Sequence, residues 1–421
     1  MILEDRIALT LKAAGESIEV GEGRLKSVGS LDSNPRRTSR WVAFAGAFGA
    51  VLLAAFGLSL LRPANQQPVS SFPLSITESG PLVWRRVLDL PTNISVEHLT
   101  HGPAGWVALT QNNRQSSDYS NAPILGSADG VEWSELRPGG LPEVVHVQGV
   151  AGQADGYLAY GLHASANYTV TTVDRPSNFA EPAVWTSADG IDWSLLPLPL
   201  PLPDEAISDV VSYSVNGAGV VDGVVIVVGT EFDEDLPSGE SGDFVVGTRV
   251  VVWTSDDMEN WRLVDGSMPP GVEAVAGGPA GVLAAAYDGS GGAVLWRTSD
   301  GISWDAASSF PSLPGGRLYL QGRGSGYLFS LGPVVMFSTD GVAWSHVEGL
   351  DGLIGGGPGG FAAFGSTVQW SPDGQQWREV GPSDLLADLE WTPTVGVDMG
   401  AVITPGRDES GVGQLVVGTN A

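Results

Sequence analysis

Histidine is scarce in this chain, and three of its five copies lie close together: His98, His101 and His146. Imidazoles at short spacing are a common beginning of a zinc site. Here the apolar and β-branched neighbours put His98 and His101 on one strand. Residues three apart on a strand point to opposite faces, so the two do not share an ion. Packed or surface histidines are the simpler reading, and no metal site is assigned. The acidic run Phe232 to Asp243 offers Asp233, Asp235 and Asp243 as oxygen donors for calcium. That spacing matches no EF-hand loop and reads as a solvated acidic loop. The sequence has no G-x-S-x-G, no glycine-rich phosphate loop and no zincin helix. It also has no cysteine, which excludes disulfides, iron–sulfur clusters and Cys-bound zinc. No catalytic residue and no cofactor follows from these types and spacings.

What does recur is a turn. The pattern Ser/Thr-x-Asp-Gly-x-x-Trp occurs six times. Its copies are Ser127, Asp129, Gly130 and Trp133, then Ser187, Asp189, Gly190 and Trp193, then Ser255, Asp257 and Trp261 with Met258 in the glycine position. Thr298, Asp300, Gly301 and Trp304 follow, then Ser338, Asp340, Gly341 and Trp344, and last Ser371, Asp373, Gly374 and Trp377. Asp-Gly between apolar runs predicts a hairpin, because glycine tolerates the positive φ of the turn. The Asp and Ser side chains can accept hydrogen bonds from amides of the same turn. The Trp opens the return strand and offers a wide face for burial. A β-rich strand such as Val250 to Trp253 comes before most copies, and two further strands around a Gly-rich turn come earlier. Four strands in about 40 residues is the size of a propeller blade.

Six turns delimit blades at 93–138, 143–201, 206–267, 271–310, 315–349 and 350–381. Two pieces remain. Thr394 to Val397, Gly400 to Thr404 and Gln414 to Gly418 form three strands without a turn of this kind, and Leu82 to Val87 looks like the strand after one. Joined, they predict a seventh blade made from both ends, a closure that removes exposed sheet edges. The expected fold is therefore all-β, a seven-bladed β-propeller over residues 82–421, with six blades as the alternative.

The repeats resemble Asp-box (BNR) repeats, usually Ser-x-Asp-x-Gly-x-x-Trp, in a variant with Gly directly after Asp. That resemblance implies a propeller of the kind found in sialidases, other glycosidases, sortilin-type receptors and a photosystem assembly factor. In those families the box is a structural turn away from the ligand site, so the resemblance implies fold and not function. A sialidase needs three arginines around a carboxylate, a Tyr/Glu nucleophile pair and an acid Asp. Its Arg-Ile-Pro signature is missing, and Arg-Pro pairs such as those at Arg62 and Arg137 lack the Ile. Glycoside hydrolysis stays an alternative that requires at least two carboxylates in a central pocket.

In a four-stranded blade the first and third turns share one face and the remaining connections share the other. The longest polar segments, Gln111 to Asn121, His163 to Pro182, Glu231 to Asp243 and Gly406 to Gly413, all fall between second and third strands. They belong to blades 1, 2, 3 and 7, which are consecutive around the ring. Loops on a rigid scaffold are where recognition concentrates. A binding rim for an envelope protein or polysaccharide is expected there, at Tyr119, Tyr168, Phe179, Phe232, Asp233, Glu234 and Asp235.

Residues Trp41 to Leu61 form an uncharged apolar run of 21 residues. At roughly 1.5 Å per residue this covers about 31 Å, enough for a transmembrane helix. Arg36, Arg37 and Arg40 precede it and only Arg62 closely follows, which predicts a cytosolic N-terminus and an extracytoplasmic propeller at the cytoplasmic membrane. A cleaved signal peptide is the rival, but the run starts late and no A-x-A-like site follows. Residues 1–61 carry seven basic and six acidic side chains of the chain's 20 and 48, leaving 13 and 42 outside, a net charge of −29 with no lysine. So acidic a surface lacks the basic footprint of a nucleic-acid binder. In the tail, Leu3, Ile7 and Leu11 suggest a short amphipathic helix over Ile2 to Ala14, too short to be stable without a cytosolic partner or the bilayer surface. Tail, span and outer domain are similar in layout to bacterial membrane-bound anti-sigma factors, although the His/Cys zinc motif of that family is missing. Arg62 to Pro81 is an extended linker. Ala45, Gly49, Gly46 and Ala50 have the small-residue spacing that lets spans pair, which would suit transmembrane signalling.

Overall fold

The computed structural model describes residues 82–419 except Thr92, 113–121, 165–179, 202–210, 234–248, 266–267, 269–270, 313–317, 351–352, 358, 365–366, 382–389, 392–395, 398–400 and 408–412. The expected tail, span and linker therefore lie outside the described residues. So do Tyr119, Tyr168, Phe179, Glu234 and Asp235 of the expected rim. The described strands belong to one compact unit, Pro73–Ala421, and among the described residues there is no helix.

These strands form seven antiparallel sheets. Blade 1 runs Ile94–Gly102, Gly105–Asn112, Ile124–Ser127 and Ser134–Arg137, each strand pairing with the next. Blade 2 has Val144–Gln153, Gly156–Ala164, Ala180–Ser187 and Ser194–Pro197, and blade 3 has Val211–Val221, Val224–Asp233, Arg249–Ser255 and Arg262–Asp265. Blade 4 has Val272–Gly278, Gly281–Tyr287, Ala293–Thr298 and Asp305–Phe310, while blade 5 has Leu318–Arg323, Gly326–Leu331, Val334–Ser338 and Ser345–His346. Blade 6 has Leu353–Gly357, Gly360–Phe364, Val368–Ser371 and Arg378–Gly381.

The seventh blade unites the ends. Its inner strand is split into Glu390–Trp391 and Gly396–Val397, both paired to Ala401–Arg407, which pairs to Gly413–Thr419. Val83–Asp89 from the N-terminal end then adds as the outer strand, with Trp84 opposite Gly418 and Val83 opposite Thr419. The division of the inner strand is the one departure from the four-strand expectation. Trp84 anchors the closure: its indole donates to Val380 O at 3.4 Å and meets Phe364 edge-on at 6.2 Å.

The second strands explain the packing. Sequences such as Gly281–Tyr287 (GVLAAAY) and Gly326–Leu331 (GYLFSL) are apolar without alternation and almost wholly buried. A strand covered on both faces has no solvent side to keep polar. The cover comes from adjacent blades. Seven hydrophobic clusters mark seven blade-to-blade seams, for example Val107, Leu109 and Ile124 of blade 1 with Val147, Tyr157 and Trp185 of blade 2. The last seam packs Ile403, Leu415 and Val417 of blade 7 on Val96, Trp106 and Ala108 of blade 1, so the ring is closed.

At the inner strands the blades meet backbone to backbone. A Cβ on Gly322 would lie 2.1 Å from Gly277 O, and one on Gly152 would lie 1.9 Å from His101 O. Only glycine permits that approach.

Candidate functional site

The six turns sit on one face, here called the corner face. In each, the Ser or Thr is the last residue of a third strand and the Trp immediately precedes the fourth. The connection is therefore the six residues 128–133 in blade 1 and their equivalents elsewhere, with the Trp just before the return strand instead of opening it, and side chains brace it. The hydroxyl donates to the Asp Oδ1 at 3.0–3.1 Å. In the five Gly-containing turns it also accepts the glycine N–H at 2.8 Å. The same Oδ1 accepts the next two amides, as at Asp189 from Ile191 (2.8 Å) and Asp192 (3.0 Å). These amides hold the carboxyls of Asp129, Asp189, Asp300 and Asp340 below the usual range. The indole N–H closes the turn on the carbonyl of the glycine position in every copy but Trp304, whose Nε1 is buried without a partner. Each glycine has φ between +72° and +79°, and Met258 follows at +59°. At each corner, one carboxylate oxygen thus braces its own turn.

The channel is different. A cavity of about 700 Å³ runs between the inner strands. Four of these carry a bulge at the same level, at Glu97, Gln148, Asn216 and Glu273, each following a buried valine (Val96, Val147, Val215, Val272). A bulge leaves one residue unpaired and re-aims its side chain. All four line the channel toward the face opposite the corners, here the loop face. Neighbouring blades use the interrupted ladder. His98 Nε2 meets Val147 O at 3.1 Å, and Asn216 Nδ2 donates to Val272 O, each bond spanning two blades. Ser95 Oγ donates to Glu97 Oε1 at 2.5 Å and Ser214 Oγ to Asn216 Oδ1 at 2.6 Å, which fixes these side chains. Burial lowers the pKa of His98 to about 4 against the raising effect of its Val147 bond, so the ring is neutral. Burial also raises the Glu273 carboxyl.

The three histidines do not converge on an ion. His98 bonds backbone, His101 stands edge-on to Trp106 at 5.1 Å and His146 meets Gln148 Oε1 at 3.1 Å. Among the described residues no group of three His, Asp or Glu side chains could hold a metal.

On the loop face, second and third strands are joined through 113–123 in blade 1, 165–179 in blade 2 and 234–248 in blade 3. Blade 5 uses only 332–333 and blade 6 only 365–367. Blade 7 is a correction: its connection, 408–412, is no longer than 288–292 of blade 4, so the long segments occupy three consecutive blades instead of four. Phe232 lies near the end of the second strand of blade 3, with Asp233 as its last residue.

At the strand ends that 165–179 and 234–248 join are buried polar side chains that the sequence alone did not point to. Glu231 is buried opposite Arg249 and accepts from its Nη2 at 2.9 Å, with Tyr213 as its cross-strand neighbour on the other side. Burial, then the Glu231 charge, pushes the Tyr213 hydroxyl up to about 12. In blade 2, His163 is buried 3.6 Å from Glu181. The signal was present as charged residues interrupting otherwise apolar strands, but pairing register was needed to bring them together. The bulge residues were legible only after aligning the repeats on their glycine turns.

No protein-family model and no curated protein matches the sequence. Among solved structures, the chain is similar to a Trypanosoma rangeli sialidase in complex with 2,3-difluorosialic acid, at 12% identity and TM-score 0.46, over 78% of this chain and 54% of that one. It is similar to an α-L-arabinofuranosidase from Fusarium graminearum at 12% identity and TM-score 0.43, over 81% and 98%. A Penicillium chrysogenum α-L-arabinanase complexed with arabinobiose gives 12% and 0.42, over 80% and 98%. The chain thus spans about half the length of the sialidase. At these identities and TM-scores the likeness carries no argument; the seven-bladed propeller rests on the strand pairing itself.

Proposed function

We propose that this protein is a non-catalytic binding platform, a propeller held outside the cytoplasmic membrane by residues 41–61 and recognising an envelope protein or polysaccharide through its loop face. The observation that carries this reading is the uneven loop face: three long connections join second and third strands on consecutive blades, and the Tyr213–Glu231–Arg249 cluster lies at the strand ends that the blade 3 connection joins. The rim is Tyr119, Tyr168, Phe179, Phe232, Asp233, Glu234 and Asp235, aromatic and acidic in keeping with a basic or carbohydrate partner. The chain enters the propeller at Leu82 on the corner face, which leaves the loop face opposite the point of entry. Residues 1–40 offer a cytosolic partner a second contact.

The test is affinity capture from solubilised envelopes with the full-length protein. One protein or polysaccharide should be retained by the wild type and lost when Asp233, Glu234 and Asp235 are changed together to Ser. Pro333→Ala in blade 5 should keep it. Equal retention by the rim variant would refute the assignment.

Glycoside hydrolysis is the second reading, because Glu97 and Glu273 both line the channel near the loop face. Against it, the Tyr/Glu pair at Tyr213 and Glu231 has a hydroxyl pushed up to about 12, the reverse of an activated nucleophile. Turnover of aryl glycosides that disappears in both Glu97→Gln and Glu273→Gln would favour this reading over the first.

A further inference from the structure

One channel residue has no counterpart in the other blades. Arg323 ends the inner strand of blade 5, at the corner-face mouth. The equivalent strand ends are Gly102, Gln153, Val221, Gly278 and Gly357, none of them charged. The Arg323 stem lies over the bare backbone of blade 6. A Cβ on Gly356 would meet its Nε at 2.8 Å and its Nη2 at 3.4 Å, so glycine there makes room for the guanidinium.

Arg323 Nε is enclosed and has no hydrogen-bond partner among the described residues. Among the described residues no carboxylate pairs with the side chain. This is the more unusual because acidic residues outnumber basic ones 48 to 20 in the chain. Burial draws the Arg323 pKa down to about 10, which still leaves it charged at neutral pH. Arg323 is half-buried as a whole, but its enclosed Nε donor is left unsatisfied, which is unfavourable for a cation without a counter-ion. Arg323 also borders a second cavity of about 500 Å³ that includes the turn residues Gly324 and Ser325 together with Pro279, Gly357 and Gly360. Mostly glycine and proline, that wall supplies no other charge.

We infer that the corner-face mouth of the channel is an anion site, in which Arg323 grips a small oxyanion, a carboxylate or a phosphate, beside the Ser325 turn. A planar guanidinium offers two parallel N–H donors to either group, and a single guanidinium with no second cation in the wall matches a small anion. The ring of corner carboxylates disfavours polyanions, so a singly or doubly charged ion fits best. This site is on the opposite face from the rim, and its failure leaves the platform reading untouched.

Isothermal titration of the full-length protein with phosphate, sulfate and acetate at constant ionic strength in chloride tests it. At least one of the three should bind saturably. Arg323→Gln should weaken that binding about tenfold or more, the equivalent of about 1.4 kcal/mol. Arg323→Lys should fall between, since a point charge lacks the fork. Unchanged melting of each variant in chloride shows that the fold is intact, and if Arg323→Gln does not fold, the Lys variant carries the comparison. Absence of saturable binding of all three anions by the wild type, or undiminished binding by a folded variant, would overturn the site.

Discussion

At the scale of single residues, one oxygen of each corner carboxylate is taken up by its own turn. Asp189 accepts Ile191 N–H, Asp192 N–H and the Ser187 hydroxyl through one oxygen. Asp189→Ala should therefore destabilise the protein by about 1–2 kcal/mol, the range of a lost capping carboxylate. Asp189→Asn, which keeps Oδ1, should lose less, and urea denaturation of both variants checks the order. The contribution of a carboxyl with a depressed pKa is present above its unfolded value and disappears as pH falls through the folded one. His98 works at milder pH. Its folded pKa of about 4 lies below the unfolded 6.5, so the unfolded chain takes up a proton that the folded one refuses. Stability should fall as pH drops from about 6.5 toward 4, with His146 adding a like charge to the same wall. Unfolding free energies at pH 7 and 5 should differ more for the wild type than for His98→Gln, which keeps a donor for Val147 O.

At the scale of elements, a corner is also a contact between blades. A Cβ on Gly190 of blade 2 would lie 2.6 Å from Val107 Cγ2 of blade 1, and the glycine φ is +78°. Gly190→Ala adds the left-handed penalty of roughly 1–2 kcal/mol to a clash across the seam. Only the clash can be relieved by trimming the neighbour. The double variant Gly190→Ala, Val107→Ala should therefore be less destabilised than the sum of the single changes, a coupling read from a double-mutant cycle. Additive effects would mean that this corner does not rest on blade 1. Met258 shows another solution at the same place: a half-buried side chain packs on the blade 2 and 3 seam while its backbone adopts φ +59°.

At the scale of the whole molecule, closure is the decisive contact. Val83 pairs with Thr419 and Leu82 N–H donates to Val380 O at 2.9 Å, so the first strand joins blade 7 to blade 6. A circular permutant of residues 82–419, with a short Gly/Ser link from Thr419 to Leu82 and new ends between Gly381 and Glu390, keeps every described pairing. It should melt in one cooperative transition near the wild type. Truncation after Arg407 removes the strand that binds both Ala401–Arg407 and Val83–Asp89 and should abolish that transition. Calorimetry distinguishes these outcomes, and a truncated protein that still melts cooperatively would argue against ring closure.

Several features of this molecule were legible in the order of its residues. The repeat of Ser, Asp, Gly and Trp is a local pattern, and local hydrogen bonds within a turn need no distant partner, so the six corners could be read directly. The alternation of strand and glycine turn then set the number of blades, and the unmatched segments at the two ends had to find each other, because an open sheet edge is unfavourable. What lay beyond the sequence depends on separations of tens or hundreds of residues. The bulge level that aims Glu97, Gln148, Asn216 and Glu273 into one channel is a matter of strand register. The Tyr213–Glu231–Arg249 cluster needs three strands side by side. Arg323 reads as one more surface arginine until the backbone of blade 6 is laid against it. Burial and isolation of a charge belong to the assembled ring, since they depend on which groups are excluded from its surroundings as much as on those brought near.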